Sequence, residues 1–304
     1  MIEMHAKLAA QLMGGTLVGP NSLFRGVSTD TRLLQPGELF FALKGENFDA
    51  HAFLDQAVDK GAAGLVTEDD FETTIDCIRV ASCEQALADL ASDWRNRFEM
   101  PLVAITGSNG KTTVKEMVTA ILSEQGEVSS TKGNLNNHIG VPLTLLRLSS
   151  NHDFAVTELG ANHVGEIRSL SQLAKPTVGV VTQCAPAHLE GFGSIDDVAK
   201  AKGELFEYLG TGSTAVINAD DHYAPLWHEL AKPATCLTFG LKSAADVSAT
   251  WVGDGASTRI VLLTPAGSTS LEIQLPGRHN VMNVLAATAA TLPVSYTHLR
   301  AHET

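Results

Sequence analysis

The sequence predicts an α/β protein: a small mixed α/β N-terminal domain, followed by a larger domain with a mostly parallel sheet covered by helices. Three observations predict this fold. The chain has 304 residues, more than one hydrophobic core usually supports. From about residue 100 onward, short apolar runs alternate with amphipathic helical patterns. A glycine-rich loop ending in Gly-Lys-Thr separates the first of these strands from the first of these helices.

The first domain mixes short strands with one clear helix. The apolar run 38–43 predicts a strand, and 52–60 has helical periodicity. Residues 61–67 combine a glycine that stops this helix with a following strand. A second helix over 83–97 carries apolar residues at helical spacing, and we expect it to lead into the second domain.

The second domain alternates strands and helices. Its strands are predicted from continuous apolar runs at 102–106, 154–157, 178–182 and 214–217. Helices are predicted after the first strand and over 166–174, where apolar residues recur at i, i+3 and i+4. A further helix begins at Ser194, because Asp197 three residues on gives a capping-box signal. The chain then becomes β-rich, with a predicted hairpin formed by 259–263 and 270–275.

A final helix is predicted over 280–292. It is expected to end at Pro293, because proline removes a backbone donor and clashes inside a helix. Residues 294–304 have no core pattern, and we interpret them as foreign, like the translated adapter sequence at the ends of truncated genes; the alternative is a native disordered tail. We expect the native chain to continue past this point. The predicted domains are therefore 1–80 and 81–293, followed by this tail.

The composition is typical of a soluble cytoplasmic protein. Hydrophobic residues make up 44% and charged residues 18% of the chain, and no apolar run is long enough to span a membrane. The formal net charge of −13 argues against a nucleic-acid partner, because phosphate binding needs a basic face. The four cysteines lack CxxC pairing, which favours a reducing compartment. We expect a cytoplasmic monomer that neither inserts into a membrane nor binds nucleic acid.

The strongest functional signal is the loop 107–113. Glycines let its backbone turn so that N–H groups point at phosphate oxygens, and the helix N-terminus adds positive potential. Lys111 is expected to reach the β- and γ-phosphates of ATP, and the Thr112 hydroxyl to ligate Mg²⁺. Ile105 stands where the usual spacing has its first glycine, so this is a short form of the motif. The predicted nucleotide-binding residues are Gly107, Ser108, Asn109, Gly110, Lys111, Thr112 and Thr113.

Further strings occur around this loop in a specific order. They are 107–115, 133–142, 158–161, 165–167, 188–193, 201–206, 218–221 and 277–283. Together these strings resemble the Mur ligase family over about residues 25–292. Any one string is weak evidence, and their number and order make the resemblance specific. It is closest to the branch that joins D-alanyl-D-alanine to UDP-N-acetylmuramoyl-tripeptide.

The resemblance assigns roles to side chains at a reaction centre. Glu158, just past a predicted parallel strand, would hold Mg²⁺ between the nucleotide and the acceptor carboxylate. His188 would bind a second Mg²⁺, although that ion prefers oxygen ligands. Lys202 would be carbamylated by CO₂ and help to bind that second metal, which requires a partly buried amine with a lowered pKa. The implied catalytic residues are Lys111, Glu158, His188 and Lys202; the implied metal ligands are Thr112, Glu158, His188 and Lys202. The alternative at each position is a solvated side chain.

Four further polar residues are candidates for the nucleotide site. Asn280 and Asn283 lie one helical turn apart, and the resemblance places this region beside the adenine. Asn280 can also act as a simple helix N-cap. Asn218 and Asp220 follow a predicted strand, and either nucleotide contact or turn formation would explain them.

In the first domain, segments 27–32, 36–45 and 49–51 resemble the module that holds the UDP end of the substrate. The candidate substrate-binding residues, which offer mixed donors and acceptors, are Ser28, Thr29, Asp30, Arg32 and Lys44, with Asn136 and Asn137 in the second domain. Ala50 replaces the more usual glycine, and a left-handed backbone there would cost an alanine about 1 kcal/mol. The alternative is a purely structural domain.

The resemblance implies ATP-driven amide formation in peptidoglycan precursor synthesis. ATP would phosphorylate the terminal carboxylate of the UDP-muramoyl tripeptide, and the amine of D-alanyl-D-alanine would attack the acyl phosphate. Because the family's third domain is expected beyond this chain, we expect the chain alone to bind substrate without turnover. Two alternatives stay open: a family member that adds another amino acid, and a nucleotide-binding protein without ligase chemistry.

Overall fold

The structure, a computed structural model, describes residues 1–45, 48–186, 189–253 and 255–302, with only the backbone at 189, 190 and 295–302. Its helices are α1 (Ala6–Leu12), α2 (Leu54–Asp59), α3 (Cys83–Arg95), α4 (Lys111–Ser123), α5 (Gly140–Leu145), α6 (Glu166–Ala174), α7 (Leu189–Phe192), α8 (Ile195–Tyr208), α9 (Ala224–Leu230) and α10 (Arg278–His302). A 3-10 helix, Ala50–Phe53, precedes α2.

The strands belong to four sheets. They are β1 (Glu3–His5), β2 (Thr16–Val18), β3 (Leu23–Arg25), β4 (Val27–Ser28), β5 (Leu39–Phe41), β6 (Gly64–Thr67), β7 (Asp76–Arg79), β8 (Leu102–Thr106), β9 (Val128–Ser130), β10 (Phe154–Glu158), β11 (Val178–Val181), β12 (Thr214–Asn218), β13 (Thr235–Phe239), β14 (Ser248–Gly253), β15 (Thr258–Thr264) and β16 (Gly267–Ile273). The chain forms two compact units, Met1–Glu99 with His138–Asn151 and Met100–Asn137 with His152–Thr304.

The first unit is built on a five-stranded sheet in the order β2-β7-β6-β5-β4. Strands β4 to β7 pair in parallel, and β2 pairs antiparallel with β7. Phe40 and Leu65 of this sheet pack in one hydrophobic cluster with Leu54 and Ala57 of α2. The mixed α/β character predicted for the N-terminal part of the chain is therefore confirmed.

Helix α3 lies in the first unit together with segment 138–151. Trp94 Nε1–H donates to the Leu148 carbonyl at 3.0 Å, and the Ile2 N–H donates to the Leu146 carbonyl at 2.8 Å. The units therefore divide near residue 100 and not at the predicted boundary after residue 80. The return of 138–151 has no local sequence signal, because the apolar residues of a short helix suit either core.

The second unit contains a six-stranded parallel sheet in the order β13-β12-β11-β8-β10-β9. Every residue of β8 and β10 is buried, as expected when helices cover both faces of a parallel sheet. The prediction of such a sheet is confirmed. The chain builds β9 and β10 on one side of β8 and β11 on the other. The end of β8 is therefore a topological switch point, where open α/β sheets bind ligands.

A three-stranded antiparallel sheet, β14-β15-β16, follows the parallel sheet in the second unit. Buried and exposed residues alternate along β15, and Ile260 and Leu262 face the core. The predicted hairpin is confirmed, because β15 ends at Thr264 and β16 begins at Gly267.

The prediction that the last helix ends at Pro293 is wrong, because α10 continues to His302. Proline removes one backbone donor, but Val294 is 1% exposed and belongs to the core cluster that also holds Val281 and Leu285. This burial offsets the lost hydrogen bond. Among the residues with described positions, no helix is both long and apolar enough to cross a membrane.

Candidate active site

Two glycines shape the loop between β8 and α4. Gly107 has a φ of +141° and Gly110 a φ of +82°, in the left-handed region that favours glycine. A Cβ on Gly107 would collide with Thr182 Oγ1, and a Cβ on Gly110 would lie 2.6 Å from Asn283 Oδ1. Backbone conformation and close neighbours therefore both require glycine at these positions.

The segment directly after β11 holds this loop in place. The Ser108 N–H donates to the Gln183 carbonyl at 2.9 Å, and Ser108 Oγ donates to the Ala185 carbonyl at 2.9 Å. Thr182 Oγ1 donates to the Asn109 carbonyl at 2.6 Å. Asn109 and Thr112 are exposed, so the loop opens to the surface at the carboxyl end of the sheet and does not turn into the core. Thr182 was not among the predicted site residues, although its place directly after β11 is the signal that could have found it.

Lys111 folds back over the loop at the start of α4. Its Nζ donates to the Gly107 carbonyl at 2.9 Å. Burial lowers the pKa of Lys111, and the nearby Glu158 carboxylate partly opposes that effect. The ammonium is therefore held near both the loop and a carboxylate, and its predicted contact with phosphates stays a prediction.

Glu158 is fixed at the carboxyl end of β10 by two side chains. Thr112 Oγ1 donates to Glu158 Oε2 at 2.9 Å, and Asn136 Nδ2 donates to Oε1 at 2.8 Å. The glutamate is 3% exposed. A hydroxyl and a carboxylate oxygen thus meet beside Lys111, and hard oxygen donors of this kind fit Mg²⁺. Three residues that lie far apart in sequence, Thr112, Asn136 and Glu158, are brought together. Asn137 is the exposed neighbour of Asn136.

Lys202 is buried on α8, with 3% of its surface exposed. Burial, and then repulsion by Lys111, lowers the pKa of Lys202 to about 8, against smaller opposing effects that include Glu166 and Glu204. Its ammonium lies 5.6 Å from the centre of the Phe192 ring. Lys202 therefore meets the condition that the sequence analysis set for a reactive amine.

His188, predicted to bind a second metal, lies outside the described residues. Within the residues that the structure does describe, no group of three or more histidine, cysteine, aspartate or glutamate side chains is arranged to hold a metal ion. The two predicted Mg²⁺ sites remain predictions.

An open cavity of about 650 Å³ lies between the loop 107–113 and the start of α10. Gly110, Thr182 and Asn283 are among its lining residues. Asn280 does not line it: its Nδ2 donates to the Pro276 carbonyl at 2.9 Å, and its Oδ1 accepts from Asn283 Nδ2 at 3.3 Å. The N-cap interpretation of Asn280 is wrong, because α10 already begins at Arg278. Asn280 instead orients Asn283.

Asp220 and Asn218 form a turn beside this cavity. The Asp220 carboxylate accepts backbone N–H groups from Leu241, Lys242 and Ser243 and lies 3.1 Å from Arg278. Burial alone would raise the pKa of Asp220, but these donors outweigh it, and the pKa lies below its ordinary value. Asn218 Nδ2 donates to the Thr182 carbonyl at 2.9 Å. These contacts join Asp220 to distant segments, and both Asn218 and Asp220 line the cavity, so nucleotide contact and turn formation both stay open.

In the first unit, the predicted substrate-binding residues form two polar groups. Arg32 makes a forked ion pair with Asp30, with NH2 to Oδ2 at 2.7 Å, and Ser28 Oγ donates to the Asp30 carbonyl at 3.1 Å. Thr29 lies half-buried within this segment. Lys44 pairs with Asp49 at 3.6 Å. Among described non-glycine residues, positive φ values occur only at Asn21 and Lys175, so the strain considered for Ala50 does not arise.

Comparison with known proteins gives consistent matches along both units. The profile of the Mur ligase middle domain matches residues 105–291, and that of the Mur ligase family catalytic domain matches residues 23–95. The chain is 44% identical to UDP-N-acetylmuramoyl-tripeptide--D-alanyl-D-alanine ligase of Escherichia coli, over 98% of this chain and 66% of that protein. It is 35% identical to the ligase of the same name from Bacillus subtilis, over 95% of this chain and 64% of that protein.

Solved structures give the same result. A crystal structure of MurF from Acinetobacter baumannii superimposes with a TM-score of 0.92 at 35% identity, over 97% of this chain and 66% of that chain. MurF ligase from Thermotoga maritima in complex with ADP gives a TM-score of 0.77 at 26% identity, over 89% of this chain and 63% of that chain. The chain thus spans slightly less than two thirds of the length of these relatives.

Proposed function

The chain belongs to the Mur ligase family, and we propose that it carries the UDP-substrate and ATP sites of a ligase that joins D-alanyl-D-alanine to UDP-N-acetylmuramoyl-tripeptide. The observation that carries the proposal is the convergence of Lys111, Thr112 and Glu158 at the switch point of a parallel sheet. The names of the relatives at 44% and 35% identity support the choice of substrates.

The proposed reaction forms an amide in two steps. The terminal carboxylate of the tripeptide attacks the γ-phosphorus of ATP, a P–O bond to ADP breaks, and an acyl phosphate forms. The amine of D-alanyl-D-alanine then attacks the acyl carbon, phosphate leaves, and the amine loses a proton. The first step requires two anionic groups, the carboxylate and the triphosphate, to approach each other, so the site must supply positive charge.

Different residues of this chain would bind the triphosphate, supply positive charge and hold Mg²⁺. The loop 107–113 binds and orients the triphosphate through its backbone, and the Lys111 ammonium screens its charge. Thr112 and Glu158 would hold Mg²⁺, which when bound neutralises charge that develops on the phosphates. Asn136 keeps the Glu158 carboxylate turned toward Thr112 by donating to its second oxygen.

We also propose that Lys202 is carbamylated and, with His188, serves a second Mg²⁺. The neutral amine attacks CO₂, a C–N bond forms and one proton is lost, which replaces a buried cation by an anion. The pKa of about 8 supports this, because it raises the fraction of neutral amine near neutral pH. Native mass spectrometry in bicarbonate buffer is expected to detect the carboxyl adduct on the wild-type chain and not on Lys202→Met. A bare lysine at saturating bicarbonate would contradict it.

For the first unit, we propose that Ser28, Thr29, Asp30, Arg32 and Lys44 bind the UDP end of the substrate. The Arg32 side chain is 85% exposed, so its guanidinium is accessible to a diphosphate despite its pairing with Asp30. Asn136 and Asn137 would contact the acceptor end. We further propose a monomer located in the cytoplasm, where ATP and reduced thiols are present.

Titration calorimetry tests the proposed function. The chain is expected to bind Mg²⁺-ADP and UDP-N-acetylmuramoyl-tripeptide, and to bind UDP-N-acetylmuramoyl-dipeptide more weakly. Tighter binding of the dipeptide would favour a family member that adds another amino acid. Nucleotide binding without binding of either UDP-muramoyl peptide would favour a nucleotide-binding protein without ligase chemistry.

A further inference from the structure

Lys115 is a buried cation that the proposed reaction does not use. It lies one helical turn beyond Lys111 on α4, and only 3% of its side chain is exposed. Burying an ammonium is unfavourable unless hydrogen bonds replace its water, and a methionine would fill a similar volume without that penalty. The partners of the Lys115 ammonium therefore indicate what the charge is for.

The Lys115 ammonium contacts one buried and one exposed group. Nζ donates to the Thr131 carbonyl at 3.0 Å and also contacts the Glu116 carboxylate. The Glu116 side chain is 65% exposed, so this ion pair contributes little. Thr131 is 1% exposed, and a buried carbonyl without a donor is unfavourable. The hydrogen bond to the Thr131 carbonyl is therefore the contact that mainly compensates the burial of the ammonium.

Thr131 connects Lys115 to Glu158. The Thr131 N–H donates to the Val156 carbonyl at 3.1 Å, and its Oγ1 accepts the Glu158 N–H at 3.0 Å. With the bond from Lys115 to its carbonyl, the backbone N–H, the backbone carbonyl and the hydroxyl of Thr131 are all engaged. Thr131 is therefore a fixed point beside the end of β10.

The loop 132–137 begins at this fixed point and returns to Glu158. Asn136 Nδ2 donates to Glu158 Oε1 at 2.8 Å, and the Asn136 carbonyl accepts the Gly160 N–H at 2.8 Å. A Cβ on Gly160 would lie 2.9 Å from Asn136 Oδ1, so the loop packs closely against the chain after β10. The Glu158 backbone is thus held by Thr131 and its carboxylate by a loop that starts at Thr131.

We propose that Lys115 is a positioning residue for the Glu158 carboxylate. It holds the Thr131 carbonyl, which fixes the start of loop 132–137 and, through Thr131 and Asn136, the orientation of Glu158. The inference rests on the proposed function, in which Glu158 is a Mg²⁺ ligand. Lys115 itself acts through Thr131 and contacts neither nucleotide nor metal.

Calorimetric titration with ADP, with and without Mg²⁺, tests this inference. In the wild-type chain, Mg²⁺ is expected to tighten ADP binding. In Lys115→Met, this Mg²⁺-dependent gain is expected to fall about tenfold, the effect of losing one hydrogen bond to a charged group. The affinity for ADP alone is expected to stay close to the wild-type value, because it depends on the phosphate loop. A purely structural role would weaken both affinities alike.

Three variants separate the contributions of charge, hydrogen bond and surface ion pair. Lys115→Gln keeps an N–H donor for Thr131 and is expected to recover most of the gain. Glu116→Gln removes only the exposed ion pair and is expected to change neither affinity. Thr131→Val keeps the volume but removes the acceptor for the Glu158 N–H. Thr131→Val is expected to lose the Mg²⁺-dependent gain while it keeps the affinity for ADP alone. It replaces Lys115→Met in the test if Lys115→Met does not fold.

The outcomes distinguish this inference from the proposed function. An unchanged Mg²⁺-dependent gain in Lys115→Met, or in Thr131→Val if that variant carries the test, overturns the positioning role and leaves the proposed function intact. An equal loss with and without Mg²⁺ also overturns the positioning role. If Mg²⁺ does not tighten ADP binding in the wild-type chain, the proposed function fails, and this inference fails with it.

Discussion

Two independent constraints, backbone conformation and a close neighbour, require glycine at position 107. Its φ of +141° is strained for any residue with a side chain, and a Cβ would collide with Thr182 Oγ1. Thr182 cannot simply move away, because its Oγ1 donates to the Asn109 carbonyl within the same loop. Backbone strain and the close contact with Thr182 therefore both require glycine at this position.

Gly107→Ala is expected to lower the free energy of unfolding by about 2 kcal/mol or more and to weaken ADP binding about tenfold or more. Chemical denaturation and calorimetry would measure the two effects. Gly212→Ala is the matched control. Its φ is +89° with no atom within 4 Å of the added Cβ, so strain alone is expected to cost about 1 kcal/mol without affecting ADP. Normal ADP binding by Gly107→Ala would contradict the proposed role of the loop.

The lowered pKa of Lys202 predicts a pH-dependent stability. The folded state releases this proton at about pH 8 and the unfolded state at about pH 10.5, so the unfolded state binds more protons between these values. The contribution of Lys202 to the free energy of unfolding therefore rises with pH between about 8 and 10.5. Below pH 8 the full cost of burying the charged amine is present. Because Lys202 is 3% exposed, solvent does little to screen the penalty.

Lys202→Met is expected to be more stable than the wild-type chain in CO₂-free buffer near neutral pH, by on the order of 3 kcal/mol. The difference is expected to shrink as the pH approaches 10.5. Urea denaturation at several pH values measures it. Lys200→Met is the control on the same helix, because that lysine is 62% exposed and its removal is expected to change stability by less than about 0.5 kcal/mol at any pH. A pH-independent difference for Lys202→Met would contradict a lowered pKa of Lys202 in the folded state.

At the scale of elements, helix α8 contributes one buried lysine to the candidate site and one buried glutamate that binds the neighbouring helix α6. It carries Lys202, and its Glu204 carboxylate accepts the Gly165 and Arg168 N–H groups at 2.7 and 3.0 Å. A buried carboxylate thereby satisfies free donors at the N-terminus of α6. The predicted start of α8 is confirmed, because Ser194 Oγ accepts the Asp197 N–H at 3.1 Å.

Ser194→Ala is expected to lower the free energy of unfolding by about 1 kcal/mol, because loss of the capping oxygen leaves the Asp197 N–H unpaired. Thermal denaturation would detect this loss. Ser194→Thr keeps an acceptor oxygen and is expected to retain most of the stability. If both variants lose the same amount, the hydrogen bond from Asp197 is not the cause.

At the scale of the whole molecule, the two proposed ligand sites lie in different compact units. The loop 107–113 belongs to the second unit, and the segment 27–32 belongs to the first. A ligand stabilises mainly the cooperative unit that it contacts. The two substrates should therefore protect different parts of the chain from hydrogen exchange.

Mg²⁺-ADP is expected to slow amide exchange in 107–113 and at the end of β10, and UDP-N-acetylmuramoyl-tripeptide to slow exchange in 27–32. Hydrogen-exchange mass spectrometry resolves these segments. UDP-glucose, which shares the nucleotide but not the peptide, is the control and is expected to protect 27–32 less strongly. Protection of 27–32 by ADP and not by the UDP-peptide would contradict the assignment of the first unit.

The sequence predicted those features of the fold that depend on local patterns. Helix α6 and strand β8 have the predicted bounds, because apolar residues at helical spacing and a continuous apolar run both report burial directly. The end of α10 was predicted wrongly, since Pro293 is a local signal that the burial of Val294 outweighs. Segment 138–151 was predicted in the wrong unit, because long-range packing decides which core receives a short apolar helix.

The sequence by itself determined the position of the glycine-rich loop 107–113, because glycines, a lysine and hydroxyls between a strand and a helix are a local chemical pattern. Only the tertiary structure decided which partners these residues meet. It buried Lys202 and so lowered its pKa, brought Asn136 and Thr112 to one carboxylate, and turned Asn280 away from the cavity. The physical reason is that burial and hydrogen bonding between distant segments depend on the packing of the whole unit, which no short window of sequence contains.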